Sequence, residues 1–159
     1  MGVDTNLYKL VFVLHILAVI IGFGGMFIAP FYGNEARKRP GREGLAVGEA
    51  TLKVTSLAPT MAVYSVPILG ILLILLSDDT WKFSEAWVSI SFLLYIVLLV
   101  VAITQQVPAV RKTLALRSGA EGAQSMEVQA LGKKAATMGA IVNVCWVVVL
   151  FLMVFKPGH

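Results

Sequence analysis

Leu10 to Ala29 is a run of twenty residues without a formal charge. At ~1.5 Å rise per residue it forms a helix ~30 Å long, the thickness of a bilayer's hydrocarbon core. Three further apolar runs follow, over 57–76, 86–103 and 135–155. Each is long enough to cross, and none of the four contains Asp, Glu, Lys or Arg. The chain is 58% hydrophobic and only 14% charged, against about a quarter charged in ordinary globular domains. The expectation is one all-α membrane domain of four transmembrane helices in an up-down bundle.

The charges fix an expected orientation. Ten of the thirteen basic residues fall in the first-to-second and third-to-fourth connections: Arg37, Lys38, Arg39, Arg42, Lys53, Arg111, Lys112, Arg117, Lys133 and Lys134. The opposite side has Lys9, Lys82 and Lys156. The positive-inside rule then predicts cytoplasmic basic connections and external N and C termini in a bacterial inner membrane. This asymmetry accounts for the net charge of +4 without invoking nucleic acid. The basic loops also suit anionic lipid headgroups, although setting topology already explains them.

Asp4, Thr5 and Asn6 each offer a cap to the first helix, and Tyr8 and Lys9 suit an interface. The run is too long for a signal-peptide core and lacks a basic leader, so the first helix is expected to stay in the mature protein. It should bend or end near Pro30, with Gly33 to Gly48 as a loop. In the second run Pro67 predicts a kink of the kind neighbouring helices accommodate. Trp81, Phe83 and Trp87 form an aromatic interface beside Lys82, and Ser84 is placed to cap the third span. Between the basic residues of the second connection, Gly119 to Gly132 is small and polar, with a short surface helix through Met126, Ala130 and Leu131 as one option.

His15 is the one polar group that stands out in the first run. Steps of three and four lead from it through Ala18, Gly22, Gly25 and Ala29, a seam of small residues that lets another backbone come close. Its plain role is a neutral imidazole bonded to another helix. Its sharper role is an axial haem ligand, with Ala18 and Gly22 giving room to the macrocycle. Tyr64 and Ser65 lie at comparable depth on the second span. Ser91, Tyr95, Leu98, Ala102 and Gln105 share a face of the third, and Ala136, Gly139, Asn143, Trp146, Leu150 and Met153 share one of the fourth. Such hydroxyls and amides ordinarily join helices at ~1 kcal/mol or less each, yet Tyr64, Ser91, Tyr95 and Asn143 could line a polar pocket with His15.

Other candidates read as structural. Met26, Met61, Met138 and Met153 form no cluster with histidine and suit core packing, though thioethers also ligate soft metals. Cys145, the single cysteine, excludes an internal disulfide and reads as a small hydrophobe. His159 is expected to be solvated. The sequence contains no P-loop, dinucleotide fingerprint or zincin motif, and the uncharged spans disfavour a charge-driven pump or proton relay.

Together, Leu14-His15 with Gly24-Gly25, Arg37-Lys38-Arg39, Trp81-Lys82-Phe83 with Trp87-Val88, Val107-Pro108 before Arg111-Lys112, and Met153 to Gly158 resemble a family of predicted bacterial integral membrane proteins described as a domain of unknown function. The resemblance covers nearly the whole chain and implies a four-helix membrane protein with no assigned activity. The first helix is more distantly similar to those of copper-resistance protein D and the haem-binding protoporphyrinogen oxidase, which implies haem b at His15. The lysine associated with that oxidase's third span has no counterpart in 86–103. Three functions fit these features: a non-enzymatic accessory or interaction protein, as a homo-oligomer or a subunit beside other membrane proteins; a b-type haem protein in electron transfer or porphyrin oxidation; and a small-solute or metal transporter.

Overall fold

The computed structural model describes residues 2–39, 41–56, 58–118 and 125–158, with the side chains of 56 and 58–60 excepted. The described residues are all helix and turn. The order is α1 (Asn6–Lys38), α2 (Gly41–Ser56), α3 (Ala58–Leu76), α4 (Ala86–Val101), a π-helical turn (Ala102–Gln106), α5 (Val107–Ser118) and α6 (Met126–Phe155). Three helical stretches are long and apolar enough to cross a membrane: Asn6–Lys38, Ala86–Ser118 and Met126–Phe155. Met61–Leu76 is a shorter apolar helix.

Thr5, of the three cap candidates, caps α1, its Oγ1 accepting the Tyr8 N–H at 3.3 Å. The helix does not stop at Pro30 but continues to Lys38. A fixed φ near −65° suits helix, so proline costs one hydrogen bond and local strain without forcing an end where packing holds the turn. Residues beyond it include the helix formers Glu35, Ala36, Arg37 and Lys38. The expected loop from Gly33 to Gly48 is thus helical on both sides of a tight turn, which Gly41 leaves at φ 56°. Glycine takes that left-handed conformation without a Cβ clash.

The second connection differs from expectation in the same direction. Ser125 Oγ accepts the Val128 N–H at 3.3 Å, and the helix begun there runs unbroken through Gly132 into the fourth apolar run. Met126 to Leu131 is therefore the first part of α6. The remainder of the expected polar segment, 119–124, lies outside the described residues, as do Leu57 and His159.

At the other end, Ser77 ties the turn between α3 and α4. Its hydroxyl donates to the Ile74 carbonyl at 2.8 Å and accepts the Trp81 N–H at 3.0 Å, while Asp78 and Asp79 adopt φ 56° and 62°. The cap position of α4 falls to Glu85 instead of Ser84. The Glu85 carboxylate accepts the Lys82 N–H at 3.1 Å and the Trp87 indole N–H.

Helix α1 packs on α3 and α2, whereas α4, the π turn and α5 pack on α6. The two sets meet around Phe23. Its ring stacks on Trp146 with centroids 3.7 Å apart and meets Tyr95 edge-on at 5.9 Å. Ala18, Val63, Val66, Leu98, Ala102 and Val142 complete this core. Outward, α1 exposes Leu10, Val13 and Ile20, and α6 exposes Val144, Val147 and Phe151. Apolar residues on nearly every side are what a helix surrounded by hydrocarbon carries.

Candidate functional site

Proline chemistry builds the centre of the bundle. Pro67 has no N–H, so the carbonyl of Val63, four residues earlier, loses its helical partner. In a membrane interior no bulk water is at hand to bond a freed carbonyl, so a protein donor is favoured. The Tyr95 hydroxyl, reaching across from α4, donates to that Val63 carbonyl. Gly22 of α1 lets the same stretch of α3 come close, since a Cβ there would lie 3.1 Å from Val63.

His15 lies toward the terminal end of α1 from this centre, two turns from Gly22. Its ring faces α3, where a Cβ placed on Gly70 would lie 3.5 Å from Cε1. The Val66 backbone lies close to the ring. Nδ1 is buried with no partner among the described residues. Ser91, one turn from Tyr95 on α4, is 1% exposed and its hydroxyl likewise lacks a partner among them.

The remaining members of the expected polar pocket are placed differently. Tyr64 turns outward and is 49% exposed. Asn143 is half-buried on α6. Ala18 and Gly22 are both buried, but Val63 occupies the face beside Gly22 where a macrocycle was expected to find room. The structure brings His15, Ala18 and Gly22 onto the α1–α3 contact and Tyr95 against it from α4. Among the described residues no group of three His, Cys, Asp or Glu side chains is placed to hold a metal.

The π turn changes which glutamine faces inward. Ser91, Tyr95, Leu98 and Ala102 are buried as the α-helical spacing predicts. The Val107 N–H then reaches back five residues to the Ala102 carbonyl, inserting one extra residue into the turn. Gln105 is consequently exposed, while Gln106 faces α6 with Nε2 3.1 Å from a Cβ placed on Gly139. On α6 the buried face comprises Gly139, Val142, Val149 and Leu152. It is turned from the expected one, so Leu150 points outward.

Two adjoining cavities occupy the basic end. The inner one, about 190 Å³, is enclosed mainly by aliphatic groups, with Gln106, Arg37 and Arg117 at its edges. The outer one, about 450 Å³, is bordered by Arg37, Arg117 and Lys133. Arg117 donates from Nη2 to the Ala36 carbonyl at 3.0 Å, satisfying a carbonyl near the C-terminus of α1. Sequence reasoning assigned these cations to topology and missed their convergence. At the terminal end aromatic side chains meet a cation: Trp81 donates its indole N–H to the Tyr8 hydroxyl at 3.1 Å, and Lys156 Nζ sits 3.5 Å over the Trp81 ring.

A family model described as "Predicted integral membrane protein (DUF2269)" matches residues 9–157. The chain belongs to that family. No curated protein and no solved structure matches it. As a DUF2269 protein it resides in a lipid bilayer, consistent with apolar helices whose outer faces carry Val13, Ile20 and Val144.

Proposed function

We propose that this DUF2269 chain is a single four-span domain of a bacterial inner membrane, basic end cytoplasmic and termini outside. Contacts at the two ends support α3 as the fourth crossing. The Trp81–Tyr8 bond ties the α3–α4 turn to the N-terminal end of α1, while the Arg117–Ala36 bond ties α5 to the far end of α1. Helix α3 joins one level to the other. Reporter fusions after Arg42 and after Thr80 should read cytoplasmic and external, respectively; the reverse would overturn the orientation.

Within the membrane the chain acts as a non-enzymatic accessory or interaction protein, with lipid and other membrane proteins or a second copy as partners. The observation that carries this reading is the Tyr95–Val63 bond. It engages the most deeply placed tyrosine in holding helices together, and His15 beside the Val66 backbone fits the same use. The purified chain should be colourless and take up no added haem, and His15→Gln should preserve its melting temperature. A Soret band in the parent that His15→Ala abolishes would overturn the reading.

The unpartnered Nδ1 of His15 favours a second one, a b-type haem site. A macrocycle on that face requires the α1–α3 contact at Gly22 to open, because Val63 fills it. His15 would then hold the iron, and the haem would supply one-electron chemistry.

A further inference from the structure

The cavities at the basic end go beyond the accessory role just described. The inner one is lined along α1 from Met26 to Arg37, ~16 Å of helix. It is therefore a slot running with the bundle axis. Ala29, Pro30, Leu52, Val107, Val110 and Leu114 give it an aliphatic wall. Its volume is about 190 Å³, room for a short length of hydrocarbon, since ~150 Å³ admits a molecule the size of benzene. The outer chamber shares Arg37, Thr113, Arg117, Gly132 and Ala136 with the slot and adds Lys133.

Among the described residues, charge at the mouth is one-sided. No carboxylate lines either chamber among the described residues. Glu35 is held by Lys38 at 3.0 Å and Glu127 by Lys112 at 2.8 Å. Arg117, anchored on the Ala36 carbonyl through one nitrogen, has further donors in its fork. A guanidinium fork matches phosphate oxygens in pairs. A free phosphate would leave the aliphatic slot empty, and a neutral hydrocarbon would leave three cations unmatched.

We propose that the two chambers bind an anionic phospholipid, its phosphate among Arg37, Arg117 and Lys133 and the headgroup-proximal part of one acyl chain in the slot beside Pro30 and Val110. Basic pockets between membrane helices take such headgroups, with each cation contributing on its own. The site is independent of His15, so a coloured protein would revise the accessory role and leave this site standing.

The test titrates the full chain in zwitterionic detergent with dioleoyl phosphatidylglycerol, dioleoyl phosphatidylcholine and glycerol 3-phosphate, reading bound adducts by native mass spectrometry. Phosphatidylglycerol should bind roughly tenfold or more tighter than either alternative. Arg37→Gln with Lys133→Gln should remove most of that preference. Ala136→Phe, at the junction of the chambers, should weaken binding of the lipid while lipid-free melting stays unchanged. Equal binding of the two lipids overturns the proposal, as does a preference that survives the double substitution. Glycerol 3-phosphate bound as tightly as the lipid also overturns it, in favour of a soluble anion. The comparison of ligands on the parent protein decides the matter even if a variant folds poorly.

Discussion

Glycine serves opposite purposes at the centre of the bundle and beside the chambers of its basic end, even though Gly48 at that end also admits a close neighbour, Leu114. A methyl group on Gly22 would meet Val63 at 3.1 Å, whereas one on Gly33 or Gly132 would meet nothing within 4 Å. Around Phe23 the absent side chain is replaced by a neighbouring helix. Around Gly132 it helps leave an open chamber. Small residues along a membrane helix therefore mark where close approach is sterically allowed, and tertiary structure decides whether backbone or open space takes the place.

The largest test of this contrast removes the aromatic centre. Phe23→Ala should cost about 3–5 kcal/mol, because the ring is 1% exposed and contacts both Trp146 and Tyr95. Unfolding in mixed micelles reads it; a loss under about 1 kcal/mol would mean the centre is not close-packed. Adding volume sharpens the comparison. Gly22→Leu should destabilise by about 1–3 kcal/mol, while Gly132→Ala should change melting little. Similar losses at the two positions would erase the distinction between the ends.

A smaller effect isolates the proline. Tyr95→Phe should cost about 1 kcal/mol by leaving the Val63 carbonyl without its donor. In a Pro67→Ala background that carbonyl regains a helical N–H, so the same substitution should cost less. A double-mutant cycle with no coupling would show that the hydroxyl does not serve the proline-freed carbonyl.

The smallest expected effect is at the terminal end. Burial against the indoles lowers the Lys156 pKa from the usual lysine value of 10.5, with Glu85 pulling it back. The folded protein thus loses this proton at lower pH than the unfolded chain does. Between those two values the unfolded state binds more protons, so this group's contribution to stability rises with pH. Tryptophan fluorescence should show a transition below pH 10.5 that Lys156→Met removes; an identical titration in that variant would detach the ammonium from the indoles.

The apolar stretches were legible because nothing but a bilayer accommodates charge-free runs of such length. The seam from His15 through Gly22 was legible too, since helical periodicity survives in a buried contact. Helix continuing past Pro30 was not, because proline, glycine and clustered charge mark loops only where no tertiary partner supports another turn. The role of Tyr95 had half a signal: Pro67 identifies the orphaned carbonyl, but only packing selects its donor. Gln106 was missed in favour of Gln105 because a π turn alters periodicity without a distinctive composition. The chambers at the basic end arise from gaps among several helices, and no single stretch encodes them.

The extra residue between Ala102 and Gln106 puts one continuous rod into two sequence registers, one on each side of the π turn. Upstream, Tyr95 and Leu98 are aimed at the core; downstream, Leu114 meets Gly48 and Arg117 reaches the last turns of α1. Deleting one residue within the π turn would restore ordinary winding and leave both flanking segments facing nearly as they do, whereas deleting one from regular helix beyond it would swing the following side chains by ~100°. The Arg117–Ala36 bond should survive the first deletion and be lost in the second. The turn is therefore the one stretch of this rod where the chain can shed a codon without redesigning either the core or the basic mouth.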